Sequence, residues 1–302
     1  MEQQERFEGC LLGLACGDAL GAQVEFRERG AFETPTEMLG GGPFELGPGE
    51  WTDDTSMALC LAESLLHCRG FDAVDQMNRY CNWMNYGYLS SNGSCFDIGV
   101  TTSVALRQYI ATGEAFAGST NPNSAGNGSL MRLAPVAMFW LNDLDQAITQ
   151  AGLSSKTTHG AVECIEACQL YAEYLIRALK GTPKTTLFAT PKYVPSSPSL
   201  QRIASGEWQH KTVEQIASSG YVVHSIEAAL WCVHGTSSFE EAILTAIRLG
   251  DDTDTTAAIT GQLAGALHGV SAIPERWLSR LVDRELIASK ASALYDAANA
   301  MP

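Results

Sequence analysis

The sequence predicts an all-α protein, and three observations carry that expectation. Apolar residues recur at helical spacing through most of the chain, few segments alternate with period two, and β-branched runs bounded by turns are scarce. Helical segments on either side of a Pro-rich stretch at 181–212 are equally apolar, so nothing marks a boundary and residues 1–302 are expected to form a single domain. Hydrophobic residues make up 45% of the chain and charged ones 18%, which is enough apolar material for a sizeable core.

Phe7, Cys10, Leu11, Leu14 and Ala15 follow the i, i+3, i+4, i+7, i+8 pattern of a first helix. Asp18 extends the same apolar face, where a carboxylate either caps a neighbouring backbone or orients a site. Gly17, Gly21 and Gly30 are expected to break this helix into a loop carrying Glu25. Residues 31–50, rich in Gly and Pro, read as an irregular connection. Met57, Ala58, Leu61, Ala62, Leu65 and Leu66 place a strongly apolar helix at 55–68, and Val74, Met77, Cys81 and Met84 another at 72–86. A further helix is expected from Ile98 to Ile110, with Asp97 standing where an N-cap would.

The loop Asn121–Ser129 opens onto Leu130-Met131-Arg132-Leu133-Ala134. A Gly-rich loop feeding a helix N-terminus offers an anion both free backbone N–H groups and the helix dipole. Thr157-Thr158-His159-Gly160 precedes a long helix to Lys180, and the segment 181–212, with Pro183, Pro191, Pro195 and Pro198, reads as a solvated loop, with a flexible lid as the alternative. Helical period returns at 213–234 and 239–249, where Gly250 is placed as a C-cap. The next helix, 255–268, is built from Ala257, Ala258, Gly261, Ala264, Gly265 and Ala266, small residues that let another helix approach closely. A last helical stretch covers 276–299.

A net charge of −15 argues against duplex nucleic acid or an anionic membrane as partner, since both need a basic footprint. The acidic N-terminus lacks the order of a signal peptide and no apolar run reaches membrane-spanning length, so a cytoplasmic location is expected. Nine cysteines form no Cys-x-x-Cys pair, and Cys10, Cys16, Cys60, Cys164, Cys168 and Cys232 fall within apolar helical segments as reduced core residues.

Two stretches concentrate oxygen ligands beyond what capping requires: Trp51-Thr52-Asp53-Asp54-Thr55 and Gly250-Asp251-Asp252-Thr253-Asp254-Thr255-Thr256. Either alone is an adequate N-cap, because Asp and Thr suit the positive end of a helix. Together, with Arg248 the one Arg or Lys within three residues of either stretch, they would repel one another unless a cation intervened. Carboxylate and hydroxyl oxygens suit Mg²⁺, Mn²⁺ or Ca²⁺ rather than copper or structural zinc. The spacing does not fit a calcium-binding EF-hand loop, and the Asp-Asp-x-x-Asp repeat of the prenyl-diphosphate synthases is absent.

Several motifs in order resemble the ADP-ribosylglycohydrolases: Gly13–Gly21 with Glu25 following, Thr52–Thr55, Gly126-Asn127-Gly128-Ser129-Leu130-Met131-Arg132, Thr158-His159 and Asp252–Thr255. The resemblance covers nearly the whole chain and implies a compact orthogonal multi-helix bundle with a centre of two divalent cations, Mg²⁺ or Mn²⁺. By motif position, the ligands would be Thr52, Asp53, Asp54, Asp252, Asp254 and Thr255. Glu25 and Asp97 would be the catalytic acids. Gly126, Asn127, Gly128, Ser129 and His159 would hold the diphosphate and its flanking ribose, with Arg132 either adding charge there or pairing with a buried acid such as Asp18. The partner implied is an ADP-ribosylated protein or ADP-ribose itself, and the reaction is removal of ADP-ribose from arginine. Release of O-linked ADP-ribose, or binding without turnover, are the alternatives. Asp251 departs from the family, which commonly has Gly there.

Overall fold

The computed structural model describes residues 1–300, and among them it contains helices, turns and isolated β-bridges but no strand. The first helix, α1 (Gln3–Gly21), does not stop at Gly17 as expected. Gly9, Gly13, Gly17 and Gly21 lie four residues apart on one face, and that face meets the backbone of α12 (Thr253–His268). A methyl group added at Gly13 would lie 2.5 Å from the carbonyl oxygen of Gly261, and one at Gly9 2.4 Å from that of Gly265. Gly17 faces Ala257 and Gly21 faces Thr253 in the same way, so the two helices run antiparallel in backbone contact. The intrinsic weakness of glycine in a helix is offset here by that close approach.

Between these central helices the chain makes α2 (Asp53–Cys68), α3 (Ala73–Tyr86), α4 (Val100–Thr112), α5 (Ala134–Phe139), α6 (Leu144–Lys156) and α7 (Val162–Leu179). It continues through α8 (Lys184–Leu187), α9 (Pro198–Ser205), α10 (Val222–Gly235) and α11 (Phe239–Arg248), and ends after α12 in α13 (Glu275–Leu278) and α14 (Arg284–Ala300). Gly250, at φ +76, follows α11 as the expected stop signal. The buried side chains form one continuous cluster from Phe7 to Ala298, and all six cysteines expected in the core are free and buried there.

Three further expectations give way to the structure. Residues 181–212 are not a solvated loop: Leu187, Leu200, Ile203 and Trp208 are buried, and carboxylates along α7 fasten the segment by its backbone. Glu173 accepts from the N–H groups of Lys192 and Tyr193 at 2.9 Å, and Glu166 from those of Ser196 and Ser197 at 2.8 Å. The helix expected from 213 begins only at Val222, because the backbone before it is engaged elsewhere. Asp252 N–H donates to Ser218 O at 3.1 Å and Asn127 N–H to Gly220 O at 3.0 Å. Residues 130–132 form turns rather than a helix, so the Gly-rich loop does not feed a helix N-terminus; α5 starts only at Ala134, with Leu133 as its N-cap.

Candidate metal centre and substrate cavity

The antiparallel pair sets the C-terminal end of α1 beside the N-terminal end of α12, and Thr253 Oγ1 closes the junction by donating to Gly21 O at 2.8 Å. Asp18 then recruits a third helix end. Its carboxylate accepts from the N–H groups of Thr52 (2.9 Å) and Thr55 (3.0 Å) and from Thr55 Oγ1 (2.6 Å), capping α2 from outside. The capping reading of Asp18 is the one observed, and the helix it caps begins with Asp53 and Asp54.

Two groups of acids converge at this junction. Oxygens of Asp18, Asp54 and Asp254 lie within 4.8 Å of one another, as do oxygens of Glu25, Asp97 and Asp254. Asp254 belongs to both. Thr52 Oγ1 lies 3.2 Å from Asp54 Oδ2 and 3.5 Å from Asp254 Oδ2. Asp53, Asp252 and Thr255 line the adjoining cavity together with Glu25 and Asp97. The structure thus gathers Thr52, Asp53, Asp54, Asp252, Asp254 and Thr255 in one place and adds Asp18, which sequence reasoning did not count as part of the acid cluster. The signal was present in its position on the apolar face of α1.

The donor set fits a divalent cation. Glu25 Oε2, Asp54 Oδ1 and Asp254 Oδ1 are buried without any hydrogen-bond partner, although buried carboxylate oxygens are ordinarily satisfied. Without a cation, burial and then the charges of Asp97, Asp252 and Asp18 push Glu25 up to about 9. Burial, followed by Asp18 and Asp252, pushes Asp97 up to about 7. Asp18 rises only to about 6, because its bonds to Thr55 and Thr52 offset burial. Burial and neighbouring carboxylates hold Asp53, Asp54 and Asp254 well above the usual range, and burial also raises Asp252. A hard cation with all-oxygen ligands removes this frustration.

The cavity of about 330 Å³ is lined beyond these acids by Gly126, Asn127, Gly128 and His159. Asn127 spends its side-chain amide on Asp252 Oδ2 (2.7 Å) and Ser225 Oγ (2.9 Å), so it ties the loop to the acid cluster. Ser129 points elsewhere: its hydroxyl accepts from Ser155 Oγ at 2.9 Å beneath the loop, and it does not line the cavity. Arg132 is also absent from the cavity wall and does not pair with Asp18; its guanidinium stacks 4.6 Å from the centre of the Tyr80 ring. Asp97 does not cap α4, whose N-cap is Gly99; it holds φ +56 at the cavity mouth. Asp251, at φ +61, is exposed and also lines this cavity, and its backbone pairs with the Glu25 loop: Phe26 N–H to Asp251 O and Asp251 N–H to Arg27 O, both 2.8 Å.

A sequence profile described as ADP-ribosylglycohydrolase matches residues 1–301. The chain belongs to the ADP-ribosylglycohydrolase family. It is 43% identical over 294 residues to the ADP-ribosylarginine hydrolase Tri1 of Serratia proteamaculans strain 568, covering 97% of this chain and 80% of that protein. The ADP-ribosyl dinitrogen reductase glycohydrolase of Rhodospirillum rubrum is 30% identical over 289 residues, with 93% of each chain covered. A solved structure of an ADP-ribosylglycohydrolase-related protein complex superimposes with a TM-score of 0.87 at 45% identity, over 98% of this chain and 99% of that one. The all-α glycohydrolase fold read from the sequence is the fold observed. No helix among the described residues is long and apolar enough to cross a membrane.

Proposed function

We propose that this glycohydrolase removes ADP-ribose from a modified arginine side chain, using two divalent cations, Mg²⁺ or Mn²⁺, at the two acid groups that share Asp254. The observation that carries the reading is this shared carboxylate, buried with an unpartnered oxygen at the floor of a cavity whose wall is a glycine loop. The similarity to ADP-ribosylarginine hydrolases over 97% of the chain selects the linkage.

Asp54 and Asp254, with Thr52, Asp53, Asp252 and Thr255 around them, would hold the cations. Cations held there would polarise oxygen ligands and lower the pKa of water. The glycosidic C–N bond breaks through an oxocarbenium-like state, the oxygen of water bonds to the anomeric carbon, and its proton ends on the guanidine nitrogen. Asp97, at the mouth and grouped with Glu25 and Asp254, presents its carboxylate to the departing guanidinium. Glu25 is the second acid in reach. Gly126, Gly128 and His159 line the side on which the diphosphate would lie.

The test is direct. Incubated with ADP-ribosylated arginine peptide, the protein should release free ADP-ribose with Mg²⁺ or Mn²⁺ and not with EDTA, while a serine-linked peptide should remain intact. Release from serine only would overturn the linkage. Asp254→Asn should abolish calorimetric cation binding and lower turnover at least about 100-fold, the scale of losing a metal ligand or its support. Retained activity in that variant would overturn the site.

A further inference from the structure

Arg132 is buried throughout yet lies outside the cavity, and its shortest polar contact is not to an acid but to a hydroxyl. Nη2 donates to Thr158 Oγ1 at 2.7 Å, against 3.5 Å to Ser154 O. Thr158 Oγ1 in turn lies 2.8 Å from His159 Nδ1. A guanidinium only donates, so Thr158 Oγ1 accepts from it. The hydroxyl carries a single hydrogen, and among the described residues Nδ1 is the acceptor within its reach. Were Nδ1 protonated instead, the buried Thr158 hydrogen would have no acceptor, an arrangement folded proteins avoid. The order is therefore Arg132 to Thr158 to His159 Nδ1, which leaves the ring proton on Nε2.

The Nε2 edge faces the glycine loop. A methyl group added at Gly128 would lie 3.1 Å from Nε2 and one at Gly126 3.6 Å from it, so these glycines leave the edge open toward the cavity that His159 lines. We propose that Arg132, acting through Thr158, holds His159 as the neutral Nε2–H tautomer, so that the cavity wall presents a fixed donor to a diphosphate oxygen of ADP-ribose. This rests on the reading above that the cavity receives ADP-ribose. Arg132 and Thr158 are positioning residues; His159 is the group that touches the ligand. The opposite tautomer would turn a lone pair toward the phosphate oxygens, and acceptor would face acceptor. Burial, reinforced by the Arg132 charge, keeps the ring neutral by pushing its pKa down to about 3.

Nitrogen-15 NMR of the histidine-labelled full chain at pH 7 separates the tautomers, and calorimetry with ADP-ribose measures binding. The wild type should show His159 neutral with its proton on Nε2. Thr158→Val keeps the shape of the side chain and removes the hydroxyl; it should mix the tautomers and weaken ADP-ribose about tenfold, a modest charged hydrogen bond. Thr158→Ser should restore both readouts. A wild-type His159 that is charged or carries its proton on Nδ1 would overturn the proposal, as would unchanged ADP-ribose affinity in Thr158→Val. Failure of the wild type to bind ADP-ribose would instead overturn the functional reading, while the tautomer measurement still tests the relay.

Discussion

Asp251 sits at φ +61, in the left-handed region that glycine enters freely and other residues enter at a cost. Its two backbone bonds to Phe26 and Arg27 hold the Glu25 loop against the start of α12, and neither uses the side chain. The backbone geometry thus suits a glycine at this position, as the resemblance implies. Asp251→Gly should leave turnover intact and gain about 0.5 kcal/mol, the strain relieved less the extra freedom of glycine in the unfolded chain. Denaturant unfolding and the arginine-peptide assay check both, and a loss of turnover would mean that the exposed carboxylate acts on the site. At this scale the acids themselves were legible, because Asp53, Asp54, Asp252 and Asp254 stand in dense oxygen clusters without basic neighbours. Asp18 was visible only as an oddity, since the backbone it caps lies 34 residues away. The directions of Ser129 and Arg132 were not legible: they depend on the turns at 130–132, where an apolar run suggested helix.

At the level of elements, the glycine face of α1 is the device that sets the distance between Asp18 and Asp254. Gly13→Ala would press a methyl group to 2.5 Å from the backbone oxygen of Gly261 and 2.9 Å from the ring of the buried Phe239. It should cost about 3 kcal/mol, the upper end for overpacking, and separate the two acid groups enough to weaken cation binding. Gly235→Ala meets open space at the end of α10 and should stay within about 0.5 kcal/mol of wild type. Thermal denaturation of the pair, with calorimetric cation titration, checks the contrast. Small residues in 255–268 announced a close helix partner, but the matching spacing in α1 reads as helix breaking until the partner is known. The misreading of 181–212 has a similar origin. Its anchors, Glu166 and Glu173 on α7, bond to backbone N–H groups, which carry no residue-type signal.

Across the whole molecule a net charge of −15 is compounded by carboxylates packed together out of water, and the consequence for stability has a definite sign. Glu25, Asp97 and Asp18, at about 9, 7 and 6 in the cation-free fold, all lie above their ordinary values of 4.5, 3.8 and 3.8. Between the ordinary and the raised values the folded chain binds more protons than the unfolded one, so each contribution is whole below about pH 4 and is lost as pH rises through the folded pKa. His159 works in the opposite direction. Its pKa, held at about 3 against 6.5, withdraws stability only as pH falls below 6.5. Above that pH the acids govern until about pH 8, beyond which buried thiols such as Cys168, pushed up from 9.0 by burial, add a loss of the same sign, so in EDTA the Tm should fall steadily from pH 6.5 to pH 9. A divalent cation binds the ionised carboxylates and replaces the lost protons, so added Mg²⁺ or Mn²⁺ should raise Tm, and raise it further at pH 8.5 than at pH 6.5. Differential scanning fluorimetry across that range, with chelator and with each ion, reads both trends; a cation-free Tm that stays level or climbs would show that the acids are not buried together as described.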